Sequence, residues 1–197
     1  FHGTYNFNNP LKKFYNSVML RGNSVIAGSR FIFEHIKNNY NYSKEIFLIP
    51  RGIDINYFNP KNSNIEELNS VRTRWGISSN NFLILLPGRL TFWKGQFLFL
   101  NTLLFLKQEN LLNSISAIIL GDDQGRTEYR EYLLDFIREH RLEENVKIVS
   151  HESFMPSAYN ACNLVLSASI EPEAFGRVVV EAQAMEKPIL ASNIGGS

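Results

Sequence analysis

Apolar residues in the second half of the chain fall into short runs, and longer segments with helical spacing separate these runs. A run that is apolar at every position is typical of a strand in a parallel sheet covered by helices on both faces. The alternation therefore predicts a doubly wound α/β domain. The predicted strands are Phe82–Leu86, Ile115–Leu120, Val146–Val149, Leu164–Leu166 and Pro188–Ala191. The predicted helices are Gln96–Gln108, Glu128–His140, Ser157–Ala161 and Arg177–Met185.

The first part of the chain shows the same alternation in shorter form. The predicted elements are a helix over Leu11–Leu20, a strand at Val25–Ala27, a helix from about Ser29 to Tyr40 and a buried strand over Ile46–Pro50. Asn, Pro, Lys and Ser dominate from Asp54 to about Ser70, where periodicity is weak, so we interpret that stretch as a linker. On this basis the chain divides into residues 1–53, a linker at 54–77 and a domain at 78–197.

Composition narrows the class of protein. The chain has 197 residues, of which 44% are hydrophobic and 13% aromatic, which excludes general disorder. The net charge of +1 argues against a dedicated nucleic-acid binder, which usually has a strongly basic domain. The single cysteine, Cys162, excludes an internal disulfide framework and favours a reducing, cytoplasmic setting. The longest largely apolar run, Phe97–Leu106, is interrupted by Asn101 and Thr102 and is about half of the roughly 20 residues that a membrane span needs.

Two further observations concern the ends of the chain and its charge. The chain begins at Phe1 without a methionine and ends on a loop-like Gly-Gly-Ser, so we interpret it as a fragment cut at both ends. Residues 1–53 carry seven basic and two acidic side chains, a charge of +5, and the remaining residues carry −4. This asymmetry indicates either a surface that rests on an anionic membrane or an ordinary solvated face.

The loop after the first strand of the main domain carries cations. Ligands of doubly wound domains lie outside the carboxyl ends of the strands. Gly88 allows close approach of the backbone, Arg89 and Lys94 supply positive charge, and a helix begins near Gly95. Cations and a helix N-terminus suit a diphosphate without requiring a metal ion. The alternative is a pair of solvated loop cations.

The loop after the fourth strand of that domain carries carboxylates. Glu173 lies beside Gly176 at a helix start, and Glu181 follows eight positions later in an otherwise apolar helix. Burying a carboxylate is costly unless it accepts hydrogen bonds, and sugar or ribose hydroxyls could donate them. The alternative is an ion pair between Arg177 and Glu181, which are four positions apart.

Other motifs are uninformative or absent. The loops at 121–125 and 192–196 are interpreted as a polar turn and a source of backbone N–H groups. The histidines, at positions 2, 35, 140 and 151, have no HExxH spacing, so the sequence does not support a metal site. The sequence lacks GxSxG, GxxxxGK[ST] and GxGxxG, which argues against a serine hydrolase, a P-loop NTPase and a standard NAD enzyme.

Several motifs together resemble the group 1, or family four, retaining glycosyltransferases. They are Gly-Arg-Leu-Thr-Phe-Trp-Lys-Gly-Gln at 88–96, Glu-Pro-Glu-Ala-Phe-Gly at 171–176, Val-Glu-Ala-Gln-Ala-Met at 180–185 and Ala-Ser-Asn-Ile-Gly-Gly at 191–196. The stretch from Ile49 to Asp54 resembles the interdomain junction of that family. The resemblance implies a GT-B architecture, in which two Rossmann-like domains face each other. Residues 1–53 would then end the acceptor domain, and 78–197 would form a donor domain truncated at its C-terminus.

The resemblance also implies residue roles. Arg89 and Lys94, next to Gly88, would hold the donor diphosphate, and Glu181 would bind the nucleotide ribose. Glu173 would bind hydroxyls of the transferred sugar, with Ala174, Phe175 and Gly176 lining the same pocket. His2 would face the sugar from the acceptor domain, so His2 and Glu173 are the expected catalytic residues. The family often has glycine near 150–152, where this chain has Ser150, His151 and Glu152.

The resulting expectation is an enzyme that moves a hexose from a UDP- or GDP-linked sugar to a glycan or lipid-linked acceptor without a metal ion or other cofactor. The setting would be polysaccharide or lipopolysaccharide biosynthesis in the cytoplasm, at the inner face of the membrane if the basic segment binds lipid. Two alternatives remain: a catalytically incomplete module that only binds nucleotide sugars, and a sucrose or sugar-phosphate synthase on the same scaffold.

Overall fold

The computed structural model describes residues 1, 3–4, 9–62 and 64–197. These residues form two compact units. The first unit contains Phe1–Gly52, Glu171–Arg177 and Asn193–Ser197, and the second contains Ile53–Ile170 and Val178–Ser192. The domain boundaries proposed from the sequence stay predictions.

In the part of the first unit that the structure describes, there are two strands and two α-helices. Its elements are α1 (Pro10–Ser17) with a 3-10 turn (Val18–Leu20), β1 (Ser24–Ala27), α2 (Arg30–Asn39) and β2 (Glu45–Leu48). β1 and β2 pair in parallel, with Ser24 opposite Glu45. The Ser29 side chain caps α2 by accepting a hydrogen bond from the backbone N–H of Ile32. The core of this unit consists of Leu20, Val25, Ala27, Ile32, Ile36 and Tyr40.

The expectation of a buried strand over Ile46–Pro50 is wrong for the described residues. Ile46 is half-buried, whereas Phe47, Leu48 and Ile49 are exposed by 43%, 39% and 54%. The sheet that contains β2 has two strands among the described residues, so β2 pairs with β1 alone in this part of the chain. An apolar run identifies a strand but does not show how many layers cover it.

The second unit is built on a parallel sheet of five strands in the order β5-β4-β3-β6-β7. Its strands are β3 (Phe82–Pro87), β4 (Ile115–Leu120), β5 (Val146–Val149), β6 (Leu164–Ser167) and β7 (Ile189–Ala191). Its helices are α3 (Ile65–Arg74), α4 (Gln96–Gln108), α5 (Thr127–Glu139), α6 (Met155–Ala161) and α7 (Arg177–Ala184), with 3-10 turns at Pro60–Asn62 and Phe92–Lys94. The predicted doubly wound sheet is confirmed.

Two apolar clusters pack in the second unit. One includes Leu83, Leu85 and Ile118, and the other includes Ile84, Leu86 and Ile119. Successive residues of a strand point to opposite faces of the sheet, so these alternating sets place one cluster on each face. This explains why the strands are apolar at nearly every position.

Residues 54–77, interpreted as a linker, contain α3. Asn64 caps this helix by accepting a hydrogen bond from the backbone N–H of Glu67 at 2.8 Å. Val71 and Trp75 are buried in the same cluster as Leu83. Its hydrophobic periodicity is weak in the sequence, because most residues of the helix are polar and few are apolar.

The strand order positions the ligand-binding edge of the second unit. Strands β3, β4 and β5 extend in one direction from the centre, and β6 and β7 extend in the other. The topological switch point therefore lies between β3 and β6, and ligands of such sheets bind where the loops after those two strands diverge.

Candidate functional site: a cationic loop at the switch point

The loop after β3 packs closely against the loop after β4. A Cβ atom at Gly121 would lie 2.0 Å from the carbonyl oxygen of Gly88, so only glycine permits this approach. The backbone N–H of Leu90 donates to the carbonyl oxygen of Asp122 at 3.0 Å. The β3 loop is thus fixed by backbone contacts on one side.

Both predicted cations lie on this loop. Arg89 is exposed, and its Nη1 lies 3.3 Å from Oε1 of Gln124. Lys94 is half-buried, with its Nζ 4.5 Å from the centre of the Trp93 ring. A Cβ atom at Gly88 would lie 3.6 Å from Cδ of Lys94, so the lysine stem runs past Gly88. The structure therefore brings Gly88, Arg89 and Lys94 together.

The loop after β3 ends where α4 begins, at Gln96. Gly95 has φ +75°, and a Cβ atom there would lie 1.9 Å from the carbonyl oxygen of Ala168, just beyond β6. The Gln96 side chain donates to the carbonyl oxygen of Arg89 at 2.8 Å. The backbone N–H of Ile170 donates to the carbonyl oxygen of Trp93 at 2.8 Å. The positive end of α4 thus lies at the switch point, where it can stabilise an anion.

Glu181 lies on α7 in the second unit and is buried, with 8% of its surface exposed. Its Oε2 accepts a hydrogen bond of 2.8 Å from the hydroxyl of Tyr159 on α6. A buried carboxylate needs such donors, and a carboxylate has lone pairs for several of them.

The residues predicted to line a sugar pocket, Glu173 to Gly176, belong to the first unit. The carbonyl oxygen of Glu173 accepts from the N–H of Gly196 at 2.7 Å, and that of Ala174 accepts from the Ser29 hydroxyl. A Cβ atom at Gly195 would lie 2.4 Å from the carbonyl oxygen of Glu173. The final glycines of the chain therefore pack against this loop.

The sequence matches a known protein family. The family model described as "Glycosyl transferases group 1" matches residues 69–197, well over half of the chain. The chain belongs to the group 1 glycosyltransferases. A glycosyltransferase of Rickettsia africae is similar in structure, with a TM-score of 0.88 and 36% identity over 100% of this chain and 51% of that one. The predicted GT-B fold class is thereby confirmed.

Two further relatives are a protein whose structure contains a bound nucleotide sugar and a protein that is named for its activity. Anabaena HepE, crystallised with UDP-glucose, matches with a TM-score of 0.83 and 29% identity over 93% of this chain and 49% of that chain. A protein of Xylanimonas cellulosilytica named D-inositol 3-phosphate glycosyltransferase is 27% identical over 91% of this chain and 42% of its own length. The chain thus spans about half the length of these three relatives.

Within this group 1 glycosyltransferase chain, the predicted site residues lie in different parts. One loop of the second unit contains Gly88, Arg89 and Lys94. Glu181 lies in the same unit, on α7. The residues predicted to line a sugar pocket lie in the first unit, and His2 lies outside the described residues. The roles assigned to all of them stay predictions.

The loop after β5, which contains Ser150, His151 and Glu152, carries a buried carboxylate. Glu152 is buried, and its Oε2 lies 2.7 Å from Nη2 of Arg74 on α3. The loop after β5 is thus joined to α3 by an ion pair between Glu152 and Arg74. His151, its neighbour, is exposed.

Three contacts of the site were missed by sequence reasoning. Gln96 supports the Arg89 backbone, Gln124 contacts the Arg89 guanidinium and Tyr159 contacts Glu181. The one available signal was a tyrosine in the short helix Ser157–Ala161, where a hydroxyl in a buried segment requires a partner. The glutamines gave no signal, because surface and site glutamines look alike in a sequence.

Two other observations concern metals and thiols. Among the described residues, no group of three or more His, Cys, Asp or Glu could hold a metal ion. Burial raises the pKa of the Cys162 thiol to about 12, which leaves it protonated and unreactive at neutral pH.

Proposed function

We propose that the protein is a retaining glycosyltransferase that moves a hexose from a UDP- or GDP-linked sugar to a glycan or lipid-linked acceptor. The observation that carries this proposal is the β3–α4 loop, where Arg89, Lys94 and the N-terminus of α4 meet at the switch point. The HepE complex with UDP-glucose supports a UDP-sugar as the first donor to test.

The β3–α4 loop would stabilise the leaving group of the reaction. When the bond between sugar and phosphate breaks, negative charge develops on the departing nucleoside diphosphate. Arg89 and Lys94 would stabilise that charge, together with the N–H groups at the start of α4. Donors that are already in place need no reorganisation during the reaction, and they supply the positive charge that a metal ion would otherwise bring. The proposal therefore includes metal independence.

The carboxylates would position the donor. Glu181 would accept hydrogen bonds from the ribose, and Glu173 would accept them from hydroxyls of the transferred sugar. His2 would act on the sugar from the acceptor domain. These assignments rest on the family motifs that the residues match.

The direct test is donor turnover by the full-length protein in EDTA. UDP-glucose, UDP-galactose, UDP-N-acetylglucosamine and GDP-mannose are each supplied, and release of nucleoside diphosphate is followed with water as acceptor. Arg89→Ala and Lys94→Ala should each lower kcat about 100-fold, as loss of a charge-stabilising donor does. Arg138→Ala is the matched control, because Arg138 is an exposed cation on α5 that pairs with Asp135. Equal turnover by all three variants would refute the assigned role of the loop.

The anomer of the released sugar tests retention. The donors are α-linked, so ¹H NMR should detect the α-anomer first, before mutarotation. Initial release of the β-anomer would show inversion and contradict the proposal.

Acceptor trials separate the alternatives. Transfer to fructose 6-phosphate would favour a sugar-phosphate synthase, and transfer to an inositol phosphate would match the activity in the name of the Xylanimonas relative. A module that only binds nucleotide sugars would bind UDP and release no product with any acceptor. The setting we propose is polysaccharide or lipopolysaccharide assembly in the cytoplasm.

We also propose that α1 rests on an anionic membrane surface. Leu11, Phe14 and Tyr15 are exposed by 81%, 68% and 78%, and Lys12 and Lys13 on the same helix are also exposed. Exposed apolar side chains beside lysines suit the boundary between lipid headgroups and acyl chains. No described helix is long and apolar enough to cross a membrane, so the contact would be peripheral.

Vesicle sedimentation tests this contact. The full-length protein should bind vesicles that contain phosphatidylglycerol more strongly than phosphatidylcholine vesicles, and salt should weaken the binding. Phe14→Ser should reduce it, whereas Phe105→Ser should not, because Phe105 is similarly exposed but lies on α4 in the second unit. Binding that is absent, or equal for both lipids, would refute the proposal.

A further inference from the structure

A polar pair lies inside the apolar cluster that contains Leu83. The Tyr159 side chain is completely buried, and its hydroxyl donates to Oε2 of Glu181 at 2.8 Å. Ala182 on α7 and Met185 just beyond it follow Glu181 in the sequence and are fully buried in the same cluster. A hydroxyl and a carboxylate in such surroundings are costly to desolvate, and the hydrogen bond between them offsets part of that cost.

The tyrosine is held in one place by packing. Its ring lies 6.0 Å from the ring of Phe58 in an edge-to-face arrangement. The neighbouring residue Asn160 donates from its side chain to the carbonyl oxygen of Pro60 at 3.0 Å. The carbonyl oxygen of Asn160 in turn accepts from Nζ of Lys187 at 3.0 Å. Helix α6 is therefore anchored on both sides, and the hydroxyl has little freedom to move.

A glutamate side chain is flexible, and fixing it has an entropic cost at the moment a ligand binds. A hydrogen bond from a rigid donor removes that freedom in advance, which is how preorganised sites gain affinity. A carboxylate can accept about four hydrogen bonds, so the bond from Tyr159 is compatible with further bonds from ribose hydroxyls.

We propose that Tyr159 is a positioning residue: its hydroxyl fixes the carboxylate of Glu181 in the orientation that accepts hydrogen bonds from the ribose of the donor nucleotide. This inference rests on the proposed function, because it requires Glu181 to bind ribose. Tyr159 acts through Glu181 and does not touch the donor. Its effect is therefore specific to ribose hydroxyls.

Calorimetry on the full-length protein separates positioning from general stability. The ligands are UDP and 2′,3′-dideoxy-UDP, which lacks the hydroxyls that Glu181 would bind. Tyr159→Phe keeps the buried ring and removes the oxygen alone. It should weaken UDP binding about tenfold, as loss of a hydrogen bond to a charged group does, and leave dideoxy-UDP binding nearly unchanged. Tyr132→Phe is the control, because that hydroxyl belongs to a residue on α5 that is 47% exposed.

A double-mutant cycle supplies a second measurement. Glu181→Gln should itself reduce the preference for UDP over 2′,3′-dideoxy-UDP. Adding Tyr159→Phe to that variant should change the affinity for UDP no further, because the tyrosine acts through the carboxylate. Additive losses in the double variant would overturn the proposal.

The remaining outcomes are distinguishable. Equal weakening of both ligands by Tyr159→Phe would show a purely structural role and overturn the proposal. An unchanged preference for UDP in Tyr159→Phe would also overturn it, while the preference of the wild type and its loss in Glu181→Gln would still support the proposed function. A wild type that binds both ligands equally, or neither, would overturn the ribose role of Glu181 and the inference with it.

Discussion

Gly95→Ala tests whether the N-terminus of α4 approaches β6 as closely as the structure shows. Gly95 has φ +75°, a conformation that costs an L-residue about 1–2 kcal/mol. A new Cβ atom would lie 1.9 Å from the carbonyl oxygen of Ala168, whereas ordinary contacts are 3.4 Å or longer. The backbone would have to move by about the difference, and overpacking of this kind adds about 1–3 kcal/mol.

Gly125→Ala provides the matched control. Gly125 has φ +77°, and a Cβ atom there would meet nothing within 4 Å. It carries the same backbone strain and the same entropy change of the unfolded chain, without the clash. The difference between the two variants therefore isolates the close approach at the switch point.

Thermal unfolding of the full-length protein is the assay. We expect Gly125→Ala to lower the free energy of unfolding by about 1 kcal/mol and Gly95→Ala to lower it by about 3 kcal/mol. Because the temperature shift per kcal/mol falls with chain length, the two melting temperatures of the full-length protein should differ by about 2–4 °C. Gly95→Ala should also weaken UDP binding, because the start of α4 moves away from the diphosphate. Equal melting temperatures for the two variants would refute the close approach.

Three buried side chains, Cys162, His35 and Arg72, can each be tested by substitution or labelling. Cys162 should react with a thiol reagent at pH 8 only after unfolding in urea, because burial raises its pKa to about 12; rapid labelling of the folded protein would contradict its burial. Burial lowers the pKa of His35 below its ordinary 6.5, so the stability that the neutral histidine contributes is present above pH 6.5 and is lost as the pH falls through the folded pKa. His35→Gln should make the free energy of unfolding, measured by denaturant titration, fall less steeply over that pH range. A pH profile identical to that of the wild type would contradict this prediction. Arg72 donates hydrogen bonds to the carbonyl oxygens of Ala161, Ser78 and Asn81. Arg72→Met should therefore lower the free energy of unfolding, measured in urea, by about 2–3 kcal/mol. A change within experimental error would show that these hydrogen bonds do not stabilise the fold.

Much of the fold could be predicted from the sequence because the second unit has a strong apolar rhythm. Strands β4 and β5 and helix α4 were predicted to the residue. The failures have physical causes. Helix α3 was missed because its surface is polar and only Val71 and a few neighbours are apolar, and the burial of β2 was wrong because periodicity does not report what covers a strand.

The candidate site was predictable only where chemistry is local. Gly88, Arg89, Lys94 and Gly95 are neighbours in the sequence, so their shared loop could be inferred. The contact between Tyr159 and Glu181 could not be inferred, because it joins residues 22 positions apart on two helices whose packing depends on the whole sheet. The same holds for Gly121, whose importance appears only when the loops after β3 and β4 are seen together.

Binding of a nucleoside diphosphate tests the central claim most directly. Calorimetric titration of the full-length protein with UDP, GDP, ADP and NAD, in EDTA, should show binding of one uridine or guanosine diphosphate. That binding should be lost in Arg89→Ala and in Glu181→Ala, while Arg138→Ala, a change at an exposed residue on α5, should keep it. Failure of the folded wild type to bind any of the diphosphates, or unchanged affinity in both site variants, would contradict the donor site proposed for this chain.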